Sequence, residues 1–261
     1  MDGRNKTVAL TLALSLIAAL ASGLWGTWAD KVWPVQGRSE AEERPETGGP
    51  EGQDDEILKN SGYTAGYSDG LKNPRWVRYE LDWDKRSQEK WKRPDVPFAT
   101  DPRTRARVRT QDYTRSGFSR GHMAPSFAIG AFHGKEAQLE TFLLSNIVPQ
   151  NQACNDGVWN SIERMEADDF AKRFGKVVVV DGPVFGKEPP DRLPSGIAVP
   201  TAFFKLIIRP DGQTIAFIVP QYPDSPKPES YLASPAEIEA ATGLGFGLPP
   251  EEAARKRTKI W

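Results

Sequence analysis

Thr7 to Ala29 contain no charged residue, and the chain that follows is mostly acid, proline and glycine, so a packed core has to be built from what comes after. The uncharged run is 23 residues long; at about 1.5 Å per helical residue it could cross a hydrocarbon core roughly 30 Å thick. Arg4 and Lys6 precede it, Ala19-Leu20-Ala21 offers a small-residue cleavage pattern, and Trp25 and Trp28 suit a membrane interface. Residues 1–30 are therefore expected to be a signal peptide or a membrane anchor. The implied destination is export, to the periplasm or the outside, or tethering, with membrane contact confined to this segment. Residues 31–56 are expected to be an acidic flexible linker. Between 34 and 56, eight Asp or Glu face only Arg38 and Arg44, and such a stretch buries too little apolar surface to offset its ordering entropy. Residues 57–261 are left as the folded domain.

Composition narrows the chemistry of that domain. At 38% hydrophobic residues the chain can form a real core. Its single cysteine, Cys154, excludes an internal disulfide and a zinc site made of cysteines. Any mechanism that needs histidine must use His122 or His133, the only two present. The net charge of -1 conceals an uneven distribution: residues 71–123 hold fourteen Lys or Arg against seven Asp or Glu. Arg103, Arg105, Arg107 and Arg109 alternate, which in an extended segment puts all four on one face. Such a stripe could follow a phosphate backbone, or could be a solvated strand edge protected by charge.

Periodicity predicts an α+β domain with a mostly antiparallel central sheet flanked by helices. Residues 75–83 alternate bulky and charged side chains, as a half-buried strand does. A short strand or hairpin is expected over 58–69, a loop over 90–102 and a buried strand over 142–148. The strongest helix is 155–174, where Val158, Ile162 and Met165 line one face and Gly175 ends it. Strands are expected at 176–180, 202–209 and 214–220, the last two around the turn Pro210-Asp211-Gly212. A short helix follows over 235–242, capped by Ser234. His133 is expected on a surface loop ahead of a helix over 136–141.

Three islands hold the reactive side chains: Ser119-Arg120-Gly121-His122, Ser145-Asn146-Ile147-Val148-Pro149-Gln150, and the helix carrying Asn155, Trp159 and Glu163 at intervals of four. Phosphodiester cleavage needs positive charge for the pentavalent phosphorus, a base that titrates near neutrality, and a Lewis acid for the departing alkoxide. Arg120, His122 and the oxygen donors Asn155 and Glu163 meet that list. Asn155 at a helix start is equally explained as an N-cap, and Trp159 as core packing.

These islands resemble the DNA/RNA non-specific endonuclease family, the ββα-metal nucleases that include mitochondrial endonuclease G. That family carries Asp-Arg-Gly-His, then Ser-Asn-(Ile/Val)-x-Pro-Gln, then Asn-x3-Trp-x3-Glu, in this order. The resemblance covers roughly residues 58–247. It implies the ββα-metal fold and a Mg²⁺-dependent hydrolase, with Mn²⁺ as a substitute metal, acting on both DNA and RNA. By the same resemblance His122 is the general base, Asn155 the direct ligand of one metal ion, and Glu163 the holder of its waters. Arg120 contacts the phosphate, Arg93 is the upstream phosphate-binding arginine, and Asn146 orients the metal helix or its waters. Homodimers are common in the family and are expected here on that ground alone.

One position departs from the pattern: Ser119 stands where most of the family has Asp. It keeps hydrogen-bonding capacity and loses a negative charge. Two alternatives follow, a nucleic-acid-binding protein on the nuclease fold with weakened catalysis, and a phosphodiesterase for a smaller substrate.

Overall fold

Strand-forming residues recur on both sides of a long excursion, and neighbouring strands of the main sheet run back against one another. The computed structural model describes residues 56–88, 92–186 and 189–261, within the unit Arg44–Trp261. The expected anchor and linker, residues 1–30 and 31–56, lie outside the described residues except for Glu56. Strands β1 (Glu56–Lys59), β2 (Tyr63–Ser68) and β3 (Asn73–Asp82) form a meander. The chain returns much later to add β6 (Lys176–Val184), β7 (Ala202–Ile208), β8 (Thr214–Pro220) and the short β9 (Leu232–Ala233). The sheet order is β1-β2-β3-β6-β7-β8-β9, and every pairing is antiparallel. The excursion between β3 and β6 carries a two-stranded ribbon, β4 (Ser119–His122) with β5 (Ile147–Gln150), and the helices α1 (Ser126–His133) and α2 (Lys135–Glu140).

A long helix, α3, runs over residues 152–174. It is broken by a kink at Gly157 (φ -98, ψ -113) within Asn155–Trp159, and its Met165–Phe170 segment is wound more widely, with i→i+5 bonding. A widened turn of this kind is frequent at functional sites. Gly175, at φ 75, ends the helix and leads directly into β6. Helix α4 (Pro235–Thr242) begins with a reciprocal cap, Ser234 accepting from the Glu237 N–H while Glu237 accepts from the Ser234 N–H. The last helix is α5 (Pro250–Ala253).

The sheet is packed on both faces. Trp159, Ile162 and Phe170 of α3 join Tyr79, Val177, Val179, Phe203 and Ile207 on one side. Trp76, Phe204, Leu206, Ile238 and Leu244 form the core on the other. A third cluster of Val108, Tyr113, Leu144, Ile147, Leu193 and Ile197 supports the β4–β5 ribbon. This is the α+β architecture that the periodicity predicts.

Three local expectations are corrected. The segment 142–148 is not one strand: Leu144–Asn146 form a tight turn, and pairing starts only at Ile147. Local hydrogen bonding explains the turn, since Asn146 N–H bonds back to the Leu143 carbonyl. The arginines at 103–109 do not form a stripe, because the segment is loop and its members turn to different partners. Arg103 binds Asp101 and Asn60, Arg105 binds Asp69, and Arg107 sits at φ 46. His133 ends helix α1 rather than lying in a loop; it is exposed, and its ring nitrogen bonds the Glu80 carbonyl at 2.7 Å.

Candidate active site

The first two islands are the two strands of one ribbon. Register pairs His122 with Ile147, Gly121 with Val148 and Ser119 with Gln150. Gly121 is required there by space: a Cβ would stand 2.1 Å from Gln150 Oε1 and 2.7 Å from Gln150 Cβ. With glycine, Gln150 crosses the ribbon and the chain delivers His122 at its end.

His122 sits between two phenylalanines, its ring 5.4 Å from Phe98 and 5.2 Å from Phe142, the latter edge-on. Each phenylalanine carries an arginine, Arg120 5.1 Å from the Phe98 centroid and Arg93 5.2 Å from that of Phe142. The imidazole is thus flanked by apolar rings that are themselves flanked by cations. Burial pushes its pKa down to about 3, and the positive charge of Arg93 adds to that. The ring is neutral at physiological pH. Its Nε2 is buried and has no hydrogen-bond partner, which costs about 1–3 kcal/mol for an ordinary group and marks a site that expects one.

Helix α3 supplies the oxygen donors. Asn151, not Asn155, caps it, accepting from the N–H groups of Ala153 at 2.9 Å and Cys154 at 3.4 Å. Asn155 is released from that task and stands just ahead of the Gly157 kink. Its Nδ2 donates to Asp156 Oδ1 at 2.7 Å, which leaves Oδ1 as the ligand-capable atom. Glu163 lies two turns further on. Burial raises its pKa to about 8, opposed by Lys205 and reinforced by Glu166 and Asp181.

A cavity of about 460 Å³ brings these groups together: Arg93, His122, Asn155 and Glu163 all line it, with Lys92 and Arg164 supplying further positive charge. Arg120 packs on Phe98, bonds only distantly to the Thr110 carbonyl at 3.5 Å, and is not among the lining residues. The neighbouring Ser119 does not line it either. Asn146 is placed differently from expectation. It is fully buried; Oδ1 accepts from the Ala124 N–H at 2.8 Å, and Nδ2 donates to the carbonyls of Ala124 and Thr141. Its carboxamide is occupied by backbone and cannot orient the helix; it clamps the chain two residues past His122 instead.

The donor set suits a hard divalent cation. Among the described residues no group of three His, Cys, Asp or Glu could enclose a metal by itself. One amide oxygen with a carboxylate close by matches a site in which water fills most positions, the habit of Mg²⁺. Cys154, the neighbour of Asn155, is buried and receives only a long contact from Gln150 Nε2 at 3.7 Å.

Beneath this wall lies an ion cluster absent from the sequence expectations. Lys205 is fully buried in β7, with Nζ 2.6 Å from Asp181, 2.9 Å from the Tyr79 hydroxyl and 3.1 Å from Glu166. The Tyr79 hydroxyl donates to Glu166 at 2.6 Å. Lys205 Nζ also lies 4.7 Å from the Trp159 ring, so the cluster touches the helix midway between Asn155 and Glu163. The signal was visible as one lysine inside AFFKLII and one aspartate directly after VVVV.

Residues 40–252 match the model of the DNA/RNA non-specific endonuclease family. The mitochondrial nuclease EXOG of Danio rerio is 33% identical over 204 residues, covering 70% of this chain and 58% of that protein. Human mitochondrial endonuclease G is 31% identical over 209 residues, covering 73% of this chain and 69% of its own. The chain thus spans little more than half the length of the EXOG relative. A solved structure of the EndoG/EndoGI complex shares the fold, with a TM-score of 0.67 at 24% identity, over 77% of this chain and 92% of that one. These relatives are mitochondrial nucleases, which overturns the expectation of an exported, periplasmic or membrane-anchored chain. Among the described residues no helix is long and apolar enough to cross a membrane.

Proposed function

The chain belongs to the DNA/RNA non-specific endonuclease family, and from that premise we propose that it hydrolyses phosphodiester bonds of DNA and RNA with His122 as general base and residues 57–261 as the catalytic unit. A hydrated Mg²⁺, replaceable by Mn²⁺, would be held by Asn155 Oδ1 with Glu163 steadying its hydration, and would supply Lewis-acid stabilisation to the leaving oxygen. The His122 imidazole accepts a proton from the attacking water. Its low basicity keeps it unprotonated, and Phe98 and Phe142 hold its ring in one orientation. Arg93, on the cavity wall, neutralises the phosphate as negative charge builds on it. Arg120 acts through Phe98, fixing the ring against which the imidazole packs, and adds to the positive field.

One observation carries the proposal: His122 lines the same cavity as Asn155, Glu163 and Arg93. Binding through backbone phosphates rather than base edges accounts for action on either sugar. Association into a homodimer belongs to the same reading and is tested by light scattering.

The test uses the full chain with supercoiled plasmid and single-stranded RNA, in Mg²⁺ and in EDTA, beside His122→Ala. Cutting of both substrates that needs the metal and His122 is the expected outcome. Tight binding with no cutting in Mg²⁺ or Mn²⁺ would favour the binding-protein alternative. Cutting that survives His122→Ala would remove the histidine from its assigned place.

A further inference from the structure

Helix α3 presents two ridges to the cavity. Asn155, Trp159 and Glu163 form the first, and Trp159 is almost completely buried against Phe203. Asp156, Asn160 and Arg164, each one residue later, form the second. All three are exposed, and all three line the same cavity. Asn155 and Arg164 stand at the two ends of the stretch of α3 that lines the cavity, so the lined wall is longer than one phosphate requires.

Arg164 is held in an unusual way for this surface. Its guanidinium lies 4.0 Å from the centroid of Phe127, a partly buried ring that also lines the cavity. Its nearest carboxylate, Asp168, is 3.9 Å away, beyond hydrogen-bond reach, and the other Asp168 oxygen already takes Arg86 Nη2 at 2.5 Å. Compare Arg103 and Arg105, whose N–H groups are committed to Asp101 and Asp69. A stacked guanidinium is fixed in direction while its edge donors stay available, the arrangement suited to bidentate phosphate binding. At the other end of the ridge, Asp156 accepts from Asn155 Nδ2; its charge opposes a phosphate there and serves to position Asn155. The ridge is polarised, negative toward Asn155 and positive toward Arg164.

From this we infer that Asn160 and Arg164, with Phe127 beneath the guanidinium and Lys92 on the same cavity, form a binding subsite for the phosphate of the nucleotide next to the scissile bond. This rests on the cavity being the nucleic-acid site proposed above. Arg164 grips the flanking phosphate, and Asn160, one turn earlier, offers an amide to the adjoining sugar or phosphate. The subsite gives the strand a direction along α3 and makes affinity depend on chain length, without reading bases.

Equilibrium binding separates this from the chemistry. The affinity of the full-length protein for a fluorescein-labelled 12-nucleotide single strand is measured by anisotropy in EDTA, from 50 to 300 mM KCl, for the wild type, Arg164→Ala, Arg164→Lys and Asn160→Ala. Loss of a charged hydrogen-bonding contact should weaken binding by Arg164→Ala about tenfold or more, and flatten the logarithmic salt slope by about 0.7. Arg164→Lys should recover the slope but only part of the affinity, since a point charge cannot make the fork. Asn160→Ala should weaken binding and leave the slope alone. In Mg²⁺, Arg164→Ala should raise KM more for the 12-mer than for a dinucleotide, which lacks a flanking phosphate. Unchanged affinity and slope in Arg164→Ala, or equal KM changes for both substrates, would overturn the subsite. Absence of cutting by the wild type beside an altered slope would sink the proposed chemistry and leave the subsite standing.

Discussion

Replacing Lys205 with Met tests the cluster under the helix. The ammonium is the cation for two fully buried carboxylates and one buried phenol, with contacts of 2.6, 2.9 and 3.1 Å. Methionine matches the stem but leaves Asp181 and Glu166 facing each other. Removing one partner of a buried ion pair costs about 3–5 kcal/mol, chiefly from the charge left behind. The cost must depend on pH. Burial raises Asp181 to about 7 even with Lys205 in contact, the neighbouring Glu166 adding to that, and burial raises Glu166 as well. Lys205 itself is driven upward by those acids and stays protonated. Acids whose folded pKa lies above the unfolded value contribute stability that is complete near pH 4 and disappears as pH rises through the folded value. The wild type should therefore lose stability between about pH 4 and pH 8, through Asp181 and through Glu163. In Lys205→Met the acids are raised further, so the deficit is largest at pH 8 and shrinks toward pH 5, where protons replace the ammonium. Urea unfolding followed by tryptophan fluorescence at pH 5, 6.5 and 8 measures this. Lys205→Met with Asp181→Asn should regain at least half of the pH 8 loss. A deficit below about 1 kcal/mol at pH 8, or one that is flat across the range, would refute the assignment of the cluster as a buried charge balance.

Three further outcomes follow from the site. His122→Ala should lower kcat by about 10²–10⁴-fold, and because burial holds His122 down to about 3, the wild-type kcat/KM should show no histidine-like rise between pH 5.5 and 7.5; an inflection near 6.5 that vanishes in His122→Ala would contradict that. Gly121→Ala forces a methyl onto Gln150 and should cost about 1–3 kcal/mol as overpacking, with activity falling more than stability; a thermal melt beside a plasmid assay reads both. Asn146→Ala leaves the buried Ala124 N–H unpaired, at about 1–3 kcal/mol, and its effect should appear in hydrogen exchange of residues 122–124 rather than in metal affinity.

How far the sequence alone reached depends on the range of each interaction. The sheet strands and α4 were legible because alternation, turn residues and the Ser234 cap act within a few residues. The ribbon was harder to see: β4 is four residues long with no alternation, and its pairing with β5 depends on Tyr113 and Ile147 packing beneath it. His122, Asn155, Glu163 and Arg93 could be named from spacing and resemblance, yet their convergence is a tertiary fact. Asn155 could be read equally as a cap until Asn151 took that position. Asn146 was misassigned because an asparagine in a motif says nothing about which backbone groups its amide will meet. The phenylalanine–arginine stacks around His122, like the placement of Lys205, depend on contacts between segments tens of residues apart.

The loop that bears Arg93 and Phe98 is fastened to the body by the backbone of Ala99, whose N–H bonds the Phe142 carbonyl and whose carbonyl receives the Leu144 N–H. That clip joins positions forty-odd residues apart, so closing it carries a sizeable loop-entropy cost. A chain in which it is open would lack the Phe98 ring and the Arg93 cation beside the imidazole. If the proposed chemistry is right, a nascent or partly unravelled chain would be harmless to whatever nucleic acid surrounds it, and only the finished molecule could cut.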